Sequence, residues 1–315
     1  MPQQPPMVPA KSSHRVRAIE TERLSPRYSG IDQWDASDVL EAMIEGQFTA
    51  VAAVRGARPA IERAALAMEA RLEDEGRLIY AGAGTSGRLA AQDGAELMPT
   101  FSWPPERLVL LIAGGQAALL QAAEGAEDDA KHALALIKSH DVKTSDVLIA
   151  VAASGTTPFT LACLRGAKRK GALTIGIANN PGTPILREAD HAILLETGSE
   201  PIAGSTRMKA GTAQRITLGL LSSLLMIRLG RVYDGMMVDV QATNRKLTQR
   251  SETMLMHLTG RKQKDVRAAL AEADGSVKLA VLLLKGCELK EAKSVLKRSK
   301  GQLRTAIARL GKRNR

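Results

Sequence analysis

Aromatic residues are scarce in this sequence: two Trp, three Tyr and three Phe make up 3% of 315 residues. With so few rings and no DNA-reading motif, nucleic acid is not the expected partner. Cysteine is rarer still. Cys163 and Cys287 lie far apart in the chain and supply neither a disulfide framework nor a metal-ligand cluster. The five histidines, His14, His132, His140, His191 and His257, fall in no metal-ligand spacing, so no metal and no other cofactor is expected. Long apolar runs are missing too: the most apolar stretch, ITLGLLSSLLMI, covers only 12 residues from Ile216 to Ile227, against about 20 for a membrane span. A buried helix is expected there, and no membrane association. The opening MPQQPPMVPAKSSHRVR mixes prolines with polar groups and reads as a loose tail over 1–19, not a secretory signal. With the cysteine usage, this points to the cytoplasm.

Charge is abundant but local. The net +11 resides entirely between Arg261 and Arg315, where 16 Lys and Arg face 5 Asp and Glu. Such an excess can mark an anionic partner surface, but a solvated helical face is the simpler reading.

Five short apolar runs, RLIYAG (77–82), RLVLLIAG (107–114), DVLIAVAA (146–153), LTIGIAN (173–179) and AILLET (192–197), alternate with helical stretches. Strands of this kind belong to a parallel sheet covered on both faces. The fold class is therefore α/β, a parallel five-stranded sheet flanked by helices. Residues 36–70 carry helical periodicity, with Ser37 as N-cap and Leu40, Met43 and Ile44 on one stripe, and read as a long helix pair. Beyond the sheet, 206–229 reads as one helix and 239–257 as further helix. From Arg261, short helical patterns separated by Gly275 and Gly286 make a C-terminal small helical bundle. The apolar helix from Ile216 is also a natural surface for self-association.

The first strand ends in GAGTSG, whose Gly82, Gly84 and Gly87 have the spacing of the dinucleotide fingerprint. That reading also needs an acid about 20 positions on, at the end of the second strand, where this chain has Ala113-Gly114-Gly115-Gln116. A glycine turn between strand and helix suits any anion, because backbone N–H groups converge there. The loop carries Thr85 and Ser86, and the third strand ends in a similar loop, Ala153-Ser154-Gly155-Thr156-Thr157. Two hydroxyl-bearing loops at the carboxyl ends of parallel strands can surround one phosphate. One phosphate fits better than two, although each hydroxyl alone has a plain reading as a helix N-cap.

Two carboxylates are candidates for acid–base work. Glu127, in EGAEDDAKHAL, stands at the expected start of the helix after the second strand, where the dipole favours acids in any case. Glu96 sits among Gly94, Ala95, Leu97, Met98 and Pro99 near a helix end, an apolar setting expected to raise its pKa. A protonated carboxyl can serve as general acid while an ionised one serves as base. No G-x-S-x-G elbow or Cys/His pair offers a nucleophile.

The stretches AGAGTSGRLAAQDGAELMPTF, LIAGGQAALLQAAEGAEDD, AASGTTPF and GSEPIAGSTRMKAGTAQRITLGLLSSLLMIRLGRVYDGMMVDVQATNRKL together resemble the N-acetylmuramic acid 6-phosphate etherase family, a branch of the sugar isomerase (SIS) fold. The resemblance begins near Glu20, in TERLSPRYSGIDQWD, and reaches the C-terminal bundle. It implies a flavodoxin-like three-layer SIS sandwich over 20–258 and a basic, ubiquitin-associated-like bundle over 259–315. It implies cleavage of the D-lactyl ether of a phosphorylated amino sugar by elimination and then water addition. Glu96 would protonate the departing oxygen and Glu127 would take the C2 proton. Gly84, Thr85, Ser86, Ser154, Gly155, Thr156 and Thr157 would grip the sugar phosphate. Ser205, Arg207 and Lys209, in GSTRMKAGTAQ, are further substrate-binding candidates, a structural ion pair being the alternative for the two cations. A homodimer is implied, with the partner subunit helping to close the site. One departure is that Leu97-Met98 replaces the Cys-Pro common in the family after the first glutamate, leaving the helix free to continue. A non-catalytic phosphosugar-binding regulator of the SIS type is the alternative, and an aldose–ketose isomerase would share the fold.

Overall fold

The computed structural model describes residues 19–121, 123–240 and 245–313; the tail expected over 1–19 lies, Ile19 apart, outside them. In chain order the elements are α1 (Ala36–Leu72), β1 (Leu78–Gly82), α2 (Gly84–Phe101), β2 (Leu108–Ile112), α3 (Ala130–Ser139), β3 (Val147–Val151), α4 (Pro158–Arg169), β4 (Leu173–Ala178), α5 (Pro184–Glu188), β5 (His191–Leu194) and α6 (Lys209–Arg228). The five strands form one parallel sheet in the order β2-β1-β3-β4-β5. Every residue of β1, β3 and β4 is buried, which is why these strands read as unbroken apolar runs.

Alternate side chains along each strand serve opposite layers. Tyr80, Ile149, Ile175 and Ile193 join the core built with α1, α2 and α6. Ile79, Val109 and Leu148 join the one built with α3, α4 and α5. The first helix departs from the sequence reading: α1 is one helix of 37 residues, not a pair. Pro59 lies inside it but on the exposed side, so the carbonyl its ring cannot serve faces water and the helix survives. α6 buries Leu218, Leu221, Leu225 and Met226 between α1 and α2. Its length and composition alone would pass for a membrane span, yet it is a core helix of the sandwich.

After α6 comes a hairpin, in the stretch between the helical readings of 206–229 and 239–257: β6 (Val232–Tyr233) pairs with β7 (Met236–Met237). Asp234 and Gly235 between them both take positive φ, the requirement of the tightest two-residue hairpin turns, for which Asp-Gly is a known signal. Five helices follow, α7 (Arg245–Thr259), α8 (Gln263–Glu272), α9 (Val277–Leu284), α10 (Leu289–Arg298) and α11 (Leu303–Arg313). They share a third core around Leu255, Val266, Val277, Val281, Val295 and Leu303.

Strand order fixes where a ligand can sit. The chain leaves β1 for β2 on one side and returns to β3 on the other, so the loops after β1 and β3 diverge and open a crevice at their carboxyl ends, the usual ligand position in open α/β sheets.

Candidate active site

The three glycines after β1 have separate local duties. A Cβ on Gly82 would lie 2.9 Å from the Cα and N of Gly87, and one on Gly87 would lie 2.8 Å from the Gly82 carbonyl oxygen. These two exist so that strand end and helix start can touch. Gly84 takes φ +52 with open space around it, which frees the turn to enter α2. No side chain caps α2, so its first N–H groups, which have no partner within the helix, remain available at the crevice. The glycine spacing therefore expresses strand–helix packing and an anion-ready helix end, with nothing specific to a dinucleotide.

The β3 loop has the same character. α4 begins with Pro158 and no side-chain cap. The Thr156 backbone N–H donates to Ser154 Oγ at 3.2 Å, and Ser154 Oγ lies 3.3 Å from Thr157 Oγ1. Gly155 takes φ +69, and a Cβ there would meet Thr183 Oγ1 at 2.2 Å, so Gly155 shapes the loop from behind. Gly84, Thr85, Ser86, Ser154, Thr156 and Thr157 all line one cavity of about 380 Å³.

Glu127 lines the same cavity, beside Asp128. It stands in a single 3-10 turn, Ala126–Asp128, and not in α3, because Gly125 with φ +73 reverses the chain just before it. Asp129 then caps α3 by accepting from the His132 N–H at 2.8 Å. Two further wall residues were not foreseen, Glu22 and Thr206. Glu22 arrives because Thr21 and Asn180 bond reciprocally, Thr21 N–H to Asn180 Oδ1 at 3.4 Å and Asn180 Nδ2 to Thr21 Oγ1 at 3.1 Å, which pins the segment before α1 over the sheet edge. Its only trace in the sequence was the TERLSPRYSG block. The wall thus carries three carboxylates and no Lys or Arg among its described residues, so an anion here would rest on helix N–H groups and hydroxyls. An adjoining lobe, sharing Ala83, Gly84 and Glu127, is closed by Arg88, which donates to the carbonyls of Ala118 (2.9 Å) and Gln121 (3.1 Å).

Besides Gly155, four expected site residues stand outside this wall. Glu96 is exposed on α2; 12 residues from Gly84 along a helix is about 18 Å at 1.5 Å per residue. The apolar setting expected for Glu96 belongs to Asp93, one turn earlier and 5% exposed, because the buried stripe of α2 runs through Ala90, Asp93, Gly94 and Leu97. Lys209 is buried and spent: its Nζ donates to the Ser199 carbonyl at 2.6 Å, and its N–H to Glu200 Oε2 at 3.0 Å. Glu200 also accepts from the Ala210 N–H at 2.9 Å, so this carboxylate caps α6. Burial pushes the Glu200 carboxyl up and the Lys209 ammonium down. The Lys209 ammonium therefore bonds to a backbone carbonyl, while Glu200 is held by the backbone N–H groups of Lys209 and Ala210. Arg207 is exposed and Ser205 half-buried, and neither lines the cavity, whereas Thr206 between them does. Cys163 is buried and its thiol is pushed up to about 12, which leaves it inert as a nucleophile.

A parallel sheet in the order 2-1-3-4-5, a switch-point crevice with two uncapped helix starts, and hydroxyl loops on both sides define a SIS-type phosphosugar-binding fold. Comparison agrees. The N-terminal SIS domain of glucokinase regulatory protein matches residues 60–168, and the SIS domain matches residues 119–224. The chain is 49% identical to the N-acetylmuramic acid 6-phosphate etherase of Deinococcus radiodurans, over 91% of this chain and 94% of that protein. It is 40% identical to the etherase of Streptomyces avermitilis, over 93% and 94%. Among solved structures, a phosphoheptose isomerase from Francisella tularensis is similar at 21% identity and a TM-score of 0.46, covering 62% of this chain and 98% of that one. The chain belongs to the N-acetylmuramic acid 6-phosphate etherase family.

Proposed function

We propose that the protein cleaves the D-lactyl ether of N-acetylmuramic acid 6-phosphate, giving N-acetylglucosamine 6-phosphate and D-lactate in the cytoplasm. The observation that carries this is Glu127 standing over a cavity whose floor is two uncapped helix starts and a set of hydroxyls. The phosphate would rest on the N–H groups of α2 and α4 and on Thr85, Ser86, Ser154, Thr156 and Thr157. With the sugar ring open, the C1 aldehyde acidifies the C2 proton by delocalising the carbanion. Glu127 removes that proton, the C3–O bond breaks, and lactate departs with a proton delivered by an acid. Water then adds across the C2–C3 double bond, with its hydroxyl on C3 and its proton on C2, so atoms balance.

The acid assigned by family position is Glu96, and one chain alone leaves it about 18 Å from the cavity. We infer that the functional unit is a homodimer in which Glu96 of the partner subunit reaches this cavity. Two features support it. Leu40, Ile44, Phe48 and Val51 are exposed on α1 at helical spacing, an apolar stripe of the kind that marks a protein interface. Among the described residues the cavity wall also carries no Lys or Arg of its own.

The experiment is lactate release from muramic acid 6-phosphate in deuterated water, which reads turnover and exchange at C2 together. Lactate with one deuterium at C2 of the product sugar is expected. Tight sugar-phosphate binding without any lactate overturns the proposal in favour of a regulator.

A further inference from the structure

Trp103 and Arg107 precede β2, at the end of the sheet opposite the rim crevice. Beside them a second cavity, of about 140 Å³, lies between the sheet and the C-terminal helices. Five cations wall it: Arg107, Arg228, Arg231, Lys278 and Lys300. Two are neutralised, Arg228 by Glu69 at 2.8 Å and Lys300 by Glu73 at 2.7 Å. Of the other three, two share one carboxylate and the third bonds to backbone. Asp239 is 2.7 Å from Lys278 and 3.7 Å from Arg231, while Arg107 donates to the carbonyls of Gly76 and Leu72, both at 2.8 Å.

Arg107 and Arg231 also share the ring of Trp103, with their guanidinium carbons 4.4 and 5.2 Å from its centroid; Trp103 is 1% exposed. Burial pushes all three cations below their ordinary range, and for Arg107 the charge of Arg231 adds to the effect. A buried charge is expensive unless it is paired, and the wall's three acids, Glu69, Glu73 and Asp239, leave its five cations two in excess. Arg231 Nη1 also donates to the carbonyls of Phe101 at 2.7 Å and Ser102 at 3.0 Å, and guanidinium and ammonium donors gathered in one cavity wall suit the oxygens of a tetrahedral anion.

We propose that this cavity binds a small phosphate-type anion that ties the C-terminal helices to the sheet. Its walls come from the end of α1, the segment before β2, the segment after α6, α9 and the turn before α11, so one bound anion touches both parts of the molecule. The site gives part of the C-terminal positive charge a use separate from the rim cavity.

Trp103 makes the test direct. Trp34 is the chain's other tryptophan, so a Trp34→Phe protein has a single emitter, set in the cavity wall. Inorganic phosphate titrated at constant ionic strength against chloride is expected to change its emission saturably, with no such change in chloride. The response should persist in a Ser154→Ala, Thr157→Ala protein, whose rim cavity is weakened. It should move to concentrations about tenfold higher in Lys278→Met, as for loss of one charged hydrogen bond. Because Lys278→Met takes the nearest cation from Asp239 and risks unfolding, Arg107→Lys is the second variant: it keeps the charge, loses the fork with its paired bonds to Gly76 and Leu72, and should weaken the response several-fold in protein that circular dichroism shows to be folded in chloride. Glucose 6-phosphate run in parallel separates the sources, since a tighter response to the ester assigns phosphate monoesters and a tighter response to orthophosphate assigns the free anion. A response absent in both, matched by chloride, or lost with Ser154→Ala, Thr157→Ala while surviving Lys278→Met overturns the proposal.

Discussion

Tyr80 donates its hydroxyl to Asp93 Oδ2 at 2.7 Å, and Ser222 of α6 donates to Oδ1 of the same carboxylate at 3.1 Å. This joins β1, α2 and α6 through one buried acid, with Arg215 at 3.9 Å as a distant counter-charge. Burial pushes the Asp93 carboxyl above its usual range, against the pull of both hydrogen bonds and Arg215.

The raised value sets a sign. A carboxyl that holds its proton more tightly when folded stabilises the fold most below its unfolded value of about 3.9, and that contribution is lost as pH rises through the folded value. Asp93→Asn keeps the shape without the titration, so its Tm relative to the parent should climb as pH rises from about 4 toward 7. Asp93→Ala, which leaves Tyr80 and Ser222 without an acceptor, should cost about 1–3 kcal/mol. Thermal unfolding across that pH range checks both, and parallel curves for Asn and parent would refute the first.

Arg77 and Asp146 give the opposite sign. Asp146 accepts from Arg77 Nη2 at 2.6 Å, from Arg77 Nε at 3.1 Å and from the Lys143 N–H at 2.9 Å, with its side chain 1% exposed. Burial alone would raise this carboxyl, but these bonds and the Arg77 charge outweigh it and hold it below the ordinary range. Its stabilisation is present above the unfolded value and disappears as pH falls through the folded one. Arg77→Met should lose about 3–5 kcal/mol at neutral pH by stranding the buried charge. Urea midpoints should show the deficit shrinking in acid; an equal deficit at both ends of the range contradicts the assignment.

The sheet was legible because β1, β3 and β4 are buried on both faces and their residues had little option but to be apolar. The paired loops were legible because an anion at a helix start needs glycines and hydroxyls next to strand ends. Depth along a helix was not. Glu96 and Asp93 are three residues apart in one apolar neighbourhood, and only the orientation of α2 against Tyr80 and Ser222 decides which is buried. The surroundings of Lys209 were hidden for a related reason: a lysine beside serine and arginine suggests a phosphate, and nothing in the spacing announces that Glu200, nine residues earlier, accepts from its backbone N–H or that its ammonium turns to the Ser199 carbonyl. Asp234-Gly235 was a readable hairpin signal overshadowed by the helical residues that follow it.

At the rim, Ser154 and Thr157 face each other at 3.3 Å. If both hydroxyls hold the phosphate, Ser154→Ala should raise KM for the sugar phosphate about fivefold, as for roughly 1 kcal/mol, with kcat little changed. Steady-state lactate release measures this. A fall in kcat at constant KM would instead move Ser154 from the phosphate to the chemistry.

The last prediction concerns the two glutamates. Glu127→Gln should cost about 10²–10⁴ in kcat if it is the base at C2, and Glu96→Gln should cost comparably if it is the acid. Neither result says which chain supplies which group, but a mixture does. In a mixed dimer of the two variants, a site drawing Glu127 from one subunit and Glu96 from the other is intact on one side and doubly altered on the other. Equal amounts of the two inactive proteins, exchanged through mild denaturation, should recover about a quarter of parental activity, since half the dimers are mixed and each has one working site. Sites built within single chains recover nothing. Exposure of Glu96 on α2, so awkward for a one-chain site, is what a composite one needs, because only an exposed carboxyl can reach across a two-fold axis into a neighbour's cavity.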